Sequence, residues 1–159
     1  MNRLPWFVLL VVLGTIGCAA SRQVIRGPVQ DRQVFQAPYD KVWSATVGAL
    51  ADEGAPIQVV EKESGLITTQ FVQFASGLNA AKQMDAYAHR PRGGGFLSIW
   101  SMGRYSLSVH VTREADSTTA VKVTPHIEAY ERNVTNSWHV CDGNGGLERR
   151  LFPAISAKL

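Results

Sequence analysis

Two runs of alternating residues constrain the fold of this chain more than any other feature. Tyr105, Leu107, Val109 and Val111 alternate with Ser106, Ser108, His110 and Thr112. Val121, Val123, Pro125 and Ile127 then alternate with Lys122, Thr124, His126 and Glu128. A period of two sends successive side chains to opposite sides of a strand, so each run has one dry face and one wet face. The intervening Arg113-Glu114-Ala115-Asp116-Ser117 reads as a turn. The pattern predicts antiparallel strands covered on one side only. Pro125 has no N–H for a ladder, which favours an edge position or a bulge there.

The other elements follow from local chemistry. Pro38 suits a first helical turn, where its missing N–H has no partner to lose. Val42, Trp43, Thr46, Val47 and Leu50 then recur at helical spacing, and Gly54 is placed for a left-handed cap. Pro56 to Glu61 and Leu66 to Val72 read as strands joined by a turn at Lys62-Glu63-Ser64-Gly65. Leu147, Leu151 and Ile155 stand four apart and predict a C-terminal helix, which Pro153 should kink or cut short. Residues 75–101 show no sustained pattern beyond a helical turn or two at Ala80-Ala81-Lys82-Gln83-Met84. They are expected to form a long loop, the kind of segment that carries function. Within it, Arg90-Pro91-Arg92 and Gly93-Gly94-Gly95 read more readily as a solvated stretch than as a basic site.

The first residues speak to location. Arg3 precedes an apolar run from Trp6 to Leu13, too short to span about 30 Å of hydrocarbon, and small residues follow. Thr15-Ile16-Gly17-Cys18 resembles a lipobox, the signal of bacterial lipoproteins. That resemblance implies cleavage between Gly17 and Cys18, a lipidated Cys18 at the new N-terminus, and a signal peptide over residues 1–17. Residues 18–32, with Gly27-Pro28, then read as a flexible tether and residues 33–159 as one domain. Ala19 rather than Asp after the cysteine resembles lipoproteins sent to the outer membrane, facing the periplasm.

Composition narrows the function classes. Sixteen Lys and Arg against thirteen Asp and Glu is too small an excess to imply nucleic acid. With Cys18 assigned to lipid, Cys141 has no disulfide partner, and a buried apolar role fits it better than a nucleophile beside His139. His110 and His126 lie on the wet faces of two candidate neighbouring strands, but two histidines without other ligands at suitable spacing are a weak metal signal. Gly143-Asn144-Gly145-Gly146 before a helix lacks the Lys-Ser/Thr of a phosphate loop. No Ser-His-Asp set and no paired carboxylates stand out.

The run Val34-Phe35-Gln36-Ala37-Pro38-Tyr39-Asp40-Lys41-Val42-Trp43, then Ala49-Leu50 and Gly65-Leu66-Ile67-Thr68-Thr69, resembles the opening of the helix-grip domains in the BamC/NlpB lipoproteins. The resemblance covers residues 33–74. It implies an α+β fold, a single helix-grip-like domain in which an antiparallel sheet of about five strands is packed by a long helix and a C-terminal helix. The expected protein is a membrane-anchored, non-enzymatic binding or scaffold module of the cell envelope, with a role accessory to an envelope assembly complex among the expectations. It has no cofactor, and its oligomeric state is left open. Binding is expected in a groove between helix and sheet, with Trp100 as an aromatic surface and Arg92 and Arg104 for an anionic group; Trp43 reads more readily as core. The alternative is a carrier of a small hydrophobic ligand, or an enzyme, using the same groove.

Overall fold

The computed structural model describes residues 28–91 and 97–159. Gly17, Cys18, most of the expected tether and Arg92 therefore lie outside the described residues. The chain begins with β1 (Arg32–Phe35), α1 (Tyr39–Asp52), β2 (Ile57–Glu61), β3 (Leu66–Thr69), β4 (Val72–Ser76) and α2 (Ala80–Met84). It continues with β5 (Ala88–His89), β6 (Trp100–Ala115), β7 (Thr118–Glu131), β8 (Ser137–Gly143) and α3 (Gly146–Ser156).

The two alternating runs form the middle of β6 and β7, which pair antiparallel along almost their whole length, from Trp100↔Glu131 to Ala115↔Thr118. Every other strand is short and attaches to this hairpin directly or through a neighbour. On the β6 side, β3 pairs over Leu66↔His110 to Thr68↔Ser108, and β4 over Val72↔Tyr105 to Ser76↔Met102. On the β7 side, β1 pairs at Arg32↔Lys122 to Phe35↔Thr119, and β8 at Ile127↔Cys141 to Glu131↔Ser137. β2 extends β3, and β5 extends β8, giving one open sheet in the order β2-β3-β6-β7-β8-β5.

Each long strand thus has a break between its two short partners, and the sequence accommodates both. Between β3 and β4, the Leu107 N–H donates to the Thr69 hydroxyl at 2.9 Å, so a side chain substitutes for a missing strand. That N–H points away from β7, so Leu107↔Pro125 is a non-hydrogen-bonded pair. The nitrogen of Pro125 consequently faces the interval between β1 and β8, where the sheet asks for no donor. Pro125 sits inside a central strand for this reason, rather than at the expected edge or bulge.

One face of the hairpin is dry. Tyr105, Leu107, Val109, Val111, Val121, Val123 and Ile127 are buried beneath Val42, Ala49 and Leu50 of α1 and Leu147, Leu151, Phe152 and Ile155 of α3. Each fully buried aliphatic side chain stabilises the fold by about 1.5–3 kcal/mol relative to exposure. α2 lies over Gly103, where a Cβ would approach Met84 to 2.8 Å. α3 runs through Pro153 to Ser156 instead of breaking there.

The helix-grip expectation is overturned. Among the described residues the sheet has eight strands rather than about five, and the longest of the three α-helices, α1, has only 14 residues. The three extra strands go unread because β4, β5 and β8 are two to seven residues long, too short to establish a period. With α2 they fill much of the chain outside the two alternating runs; β4 ends, and α2 and β5 lie, inside the 75–101 span expected to be a loop. Among the described residues, no helix is long and apolar enough to cross a membrane.

Candidate functional site

Among the described residues, no helix covers the second face of the hairpin. Ser108, His110 and Thr112 of β6 and Lys122, Thr124 and His126 of β7 are exposed. Cross-strand register sets Arg104 opposite Glu128, and Glu128 opposite Val140, in one row across three strands. The next row on one side joins Ser106 to His126, and on the other Met102 to Tyr130 to Trp138. A period of two thus delivers an arginine, a glutamate, a histidine and three large side chains to one surface.

Arg104 is the centre of this surface. Its guanidinium lies 4.2 Å from the ring centre of Phe71 and 4.0 Å from that of Trp138, so it is held between two aromatic planes. Its Nε and Nη2 both meet Glu128 Oε2 at 2.6 Å. The other carboxylate oxygen, Oε1, is 3.1 Å from His126 Nε2. Burial opposes ionisation of Glu128, but the bonds from His126 and Arg104 outweigh it and hold its pKa below the usual carboxylate range. Tyr130 meets Trp138 edge-on at 5.3 Å and donates to Asn136 Oδ1 at 2.8 Å. Phe71 is 43% exposed and Val140 63%.

A second arrangement supports the end of this surface. Glu131 points to the dry side, is fully buried, and accepts from the N–H groups of Ile99, Asn133, Val134 and Thr135 at 2.6–2.9 Å. Burial raises its pKa, yet these donors prevail and hold it at about 2. The Thr135 hydroxyl adds a fifth bond and also lies 2.6 Å from His139 Nε2, while the Ser137 hydroxyl lies 3.1 Å from the same nitrogen. The ring of His139 packs edge-on against Trp100.

The residues named from sequence are therefore divided. Arg104 is on the open face; Trp100 lies on the helix side against His139, so the two do not share a site. Trp43 is buried and stacked on Tyr39, a core residue. The space between α1 and the sheet is filled: Val42, Leu50, Val109, Val121 and Val123 have no exposed surface. His110 and His126 are four positions apart along the paired strands, one bonded to the Ser64 carbonyl and the other to Glu128. Cys141 is buried, and desolvation pushes its thiol up to about 11, so it stays protonated near neutrality. The ring of His139 engages Thr135 and Ser137; its backbone carbonyl is what Cys141 Sγ meets, at 3.6 Å.

Sequence reasoning missed Phe71, Trp138 and Glu131. The alternation of β7 already placed Glu128 and His126 together on the wet face. Trp138 belongs to β8, whose mixed order has no detectable period, and Phe71 lies in the break between β3 and β4. A separate cleft of about 580 Å³ lies at the opposite end of the sheet, lined by Tyr39, Lys62, His110 and Arg113 among others. Its two cations are engaged internally, since Lys62 pairs with Asp40 at 2.7 Å and Arg113 lies over the Tyr39 ring.

The fold and this surface define a class: an open antiparallel sheet with helices on one face and an aromatic–arginine cluster on the other. No family model and no curated protein matches the chain. Among solved structures it is similar to a DUF4468 family protein from Bacteroides ovatus, with 11% identity over 69% of this chain and a TM-score of 0.37. The chain spans 58% of that protein's length.

Proposed function

We propose that this chain is a lipid-anchored binding module of the bacterial cell envelope that docks a partner protein on the open face of its sheet. The observation that carries the reading is Arg104, held between Phe71 and Trp138 on a face without a covering helix. Arginine, tryptophan and tyrosine are the residues that dominate binding energy at protein interfaces. A guanidinium fixed by two rings and a carboxylate has little rotamer freedom left to lose on association. The packed interior between α1 and the sheet favours this reading over a carrier that holds a small ligand there. The anchor rests on the resemblance of Thr15-Ile16-Gly17-Cys18 to a lipobox, and the outer membrane on Ala19.

Native co-purification from solubilised envelopes tests the docking face. A partner should be retained by the unaltered protein and reduced at least about tenfold by Arg104→Ala or Trp138→Ala, as for a central interface residue. Equal yield from all three proteins would remove this surface from the proposal. Absence of any partner, with a small molecule bound in native mass spectrometry, would favour the carrier. The anchor has its own assay: Cys18→Ala should leave the membrane fraction, and retention there with normal processing would exclude lipidation.

A further inference from the structure

The guanidinium of Arg104 is closed on three sides. Phe71 and Trp138 take its two faces, with ring centres 4.2 and 4.0 Å from the guanidinium carbon. Glu128 closes one edge: Nε donates to its Oε2 at 2.6 Å, and Nη2 lies 2.6 Å from the same oxygen. The carboxylate is held in that position by its other oxygen, since Oε1 lies 3.1 Å from His126 Nε2. The strands fix all three residues from below. Arg104 and Glu128 are register partners, and His126 stands two residues before Glu128, on the same face of β7.

A guanidinium carries five N–H groups in a rigid plane. The inner edge, Nε and Nη2, turns to a single oxygen of Glu128. The outer edge, where Nη1 and Nη2 direct two parallel N–H groups, meets no acceptor among the described residues. That edge is also the accessible one: the Arg104 side chain is 31% exposed, against 15% for the Glu128 side chain behind it. The pair therefore shows an approaching molecule its donors and shields its carboxylate.

The donor pattern decides what fits there. Two parallel N–H groups match the two oxygens of a carboxylate. An amide has one oxygen and would turn its NH₂ towards the second donor. A main-chain carbonyl would leave that donor unpaired, and an unpaired donor in a desolvated site is costly. The flanking rings favour a flat group in the guanidinium plane over a tetrahedral one, whose oxygens would rise towards them. Glu128 already balances the charge of Arg104, so selection comes from direction more than from net charge. Phe71 and Val140, both exposed, stand beside the pair, Val140 as the register partner of Glu128. A carboxylate seated there has apolar surface next to it.

We infer, on the docking role proposed above, that the partner protein presents a carboxylate flanked by apolar side chains, seated end-on against the Nη1–Nη2 edge of Arg104. Charge complementarity at this one edge names the occupant, and Glu128 with His126 keeps the guanidinium turned towards it.

The test uses two peptides, N-acetyl-Leu-Asp-Leu-amide and its Asn counterpart, which differ only in the carboxylate. Each is titrated into the isotope-labelled full-length chain in non-ionic detergent, and NMR follows the Arg104 Nε–H and Trp138 indole N–H signals. The Asp peptide should shift both signals saturably and bind at least about tenfold more tightly than the Asn peptide. Arg104→Lys keeps the charge and loses the fork, so the Asp peptide, followed at Trp138, should bind at least about tenfold more weakly. Equal affinity for the two peptides, no shift with either, or unchanged affinity in Arg104→Lys overturns the assignment. The peptide comparison is made on the unaltered protein and stands even if the variant folds poorly. Co-purification judges the docking role separately. A partner lost in Trp138→Ala, together with no preference for the Asp peptide, would keep the docking face and overturn the carboxylate alone.

Discussion

Glu131 shows how one residue can organise a region far from its own strand position. Its carboxylate is buried, yet it collects four backbone donors and a hydroxyl, which fixes the β7–β8 loop and the segment entering β6. A carboxyl whose folded pKa lies at about 2, below the ordinary 4.5, contributes stability that is complete above the higher value. That contribution is lost as pH falls from 4.5 towards 2. Glu131→Gln replaces one acceptor oxygen by an NH₂ that faces donors. It should lower the urea midpoint at neutral pH and flatten the dependence on pH across that acid window. Parallel midpoint-against-pH curves for the two proteins would show that the carboxylate has no such role. Cys141 illustrates the opposite case, in which burial disables a reactive group. Its thiol, raised to about 11, should resist iodoacetamide in the native protein at mildly alkaline pH and react fully once urea unfolds the chain; mass spectrometry of the two samples distinguishes them.

The short strands depend on chemistry at their ends. Gly65 opens β3 with φ at +75°, and a Cβ there would lie 2.0 Å from the Val111 carbonyl oxygen. The Val111 N–H also donates to the Gly65 carbonyl at 2.8 Å, so the strand start is held against β6. Gly65→Ala combines a left-handed backbone with that collision and should cost about 2 kcal/mol or more in urea unfolding. A change within experimental error would mean that the turn relaxes without disturbing β3. These contacts also explain which elements can be read from sequence. Amphipathic spacing located α1, α3 and the centres of β6 and β7 because each has enough residues to repeat its period. β4 and β8 could not be read in this way, since their partners were specified by breaks in β6 and β7 that only the assembled sheet reveals. For the same reason Arg104 was named but Phe71 and Trp138, which hold it, were not.

At the scale of the molecule, stability is expected to be graded outward from the central hairpin. Val109, Val121 and Val123 have no exposed surface and lie on strands paired on both sides or capped by helices. β2 has only β3 as a neighbour, and β5 contributes two residues against β8. Amide exchange should therefore be slowest in the middle of β6 and β7, and fastest in β2 and β5. Uniform protection across the sheet would contradict this gradient. The wet side of the hairpin was legible from alternation, but its role as an uncovered surface was not. That depended on where α1 and α3 finally pack, a property of distant residues.

The broken flanks of the long hairpin also set a timetable for folding. β6 and β7 are joined by a tight turn, whereas Val34 of β1 pairs with Ala120, 86 positions later in the chain. Closing that loop is entropically costly, and β1 has no docking edge until β7 is in place. In the order of synthesis β1 comes first and finds its partner late. Val34 and Phe35 then wait in a segment that is still unfolded. In a folding experiment, substitution of Phe35 should accelerate unfolding with little effect on the folding rate, whereas substitution of Val109 or Val121 should slow folding.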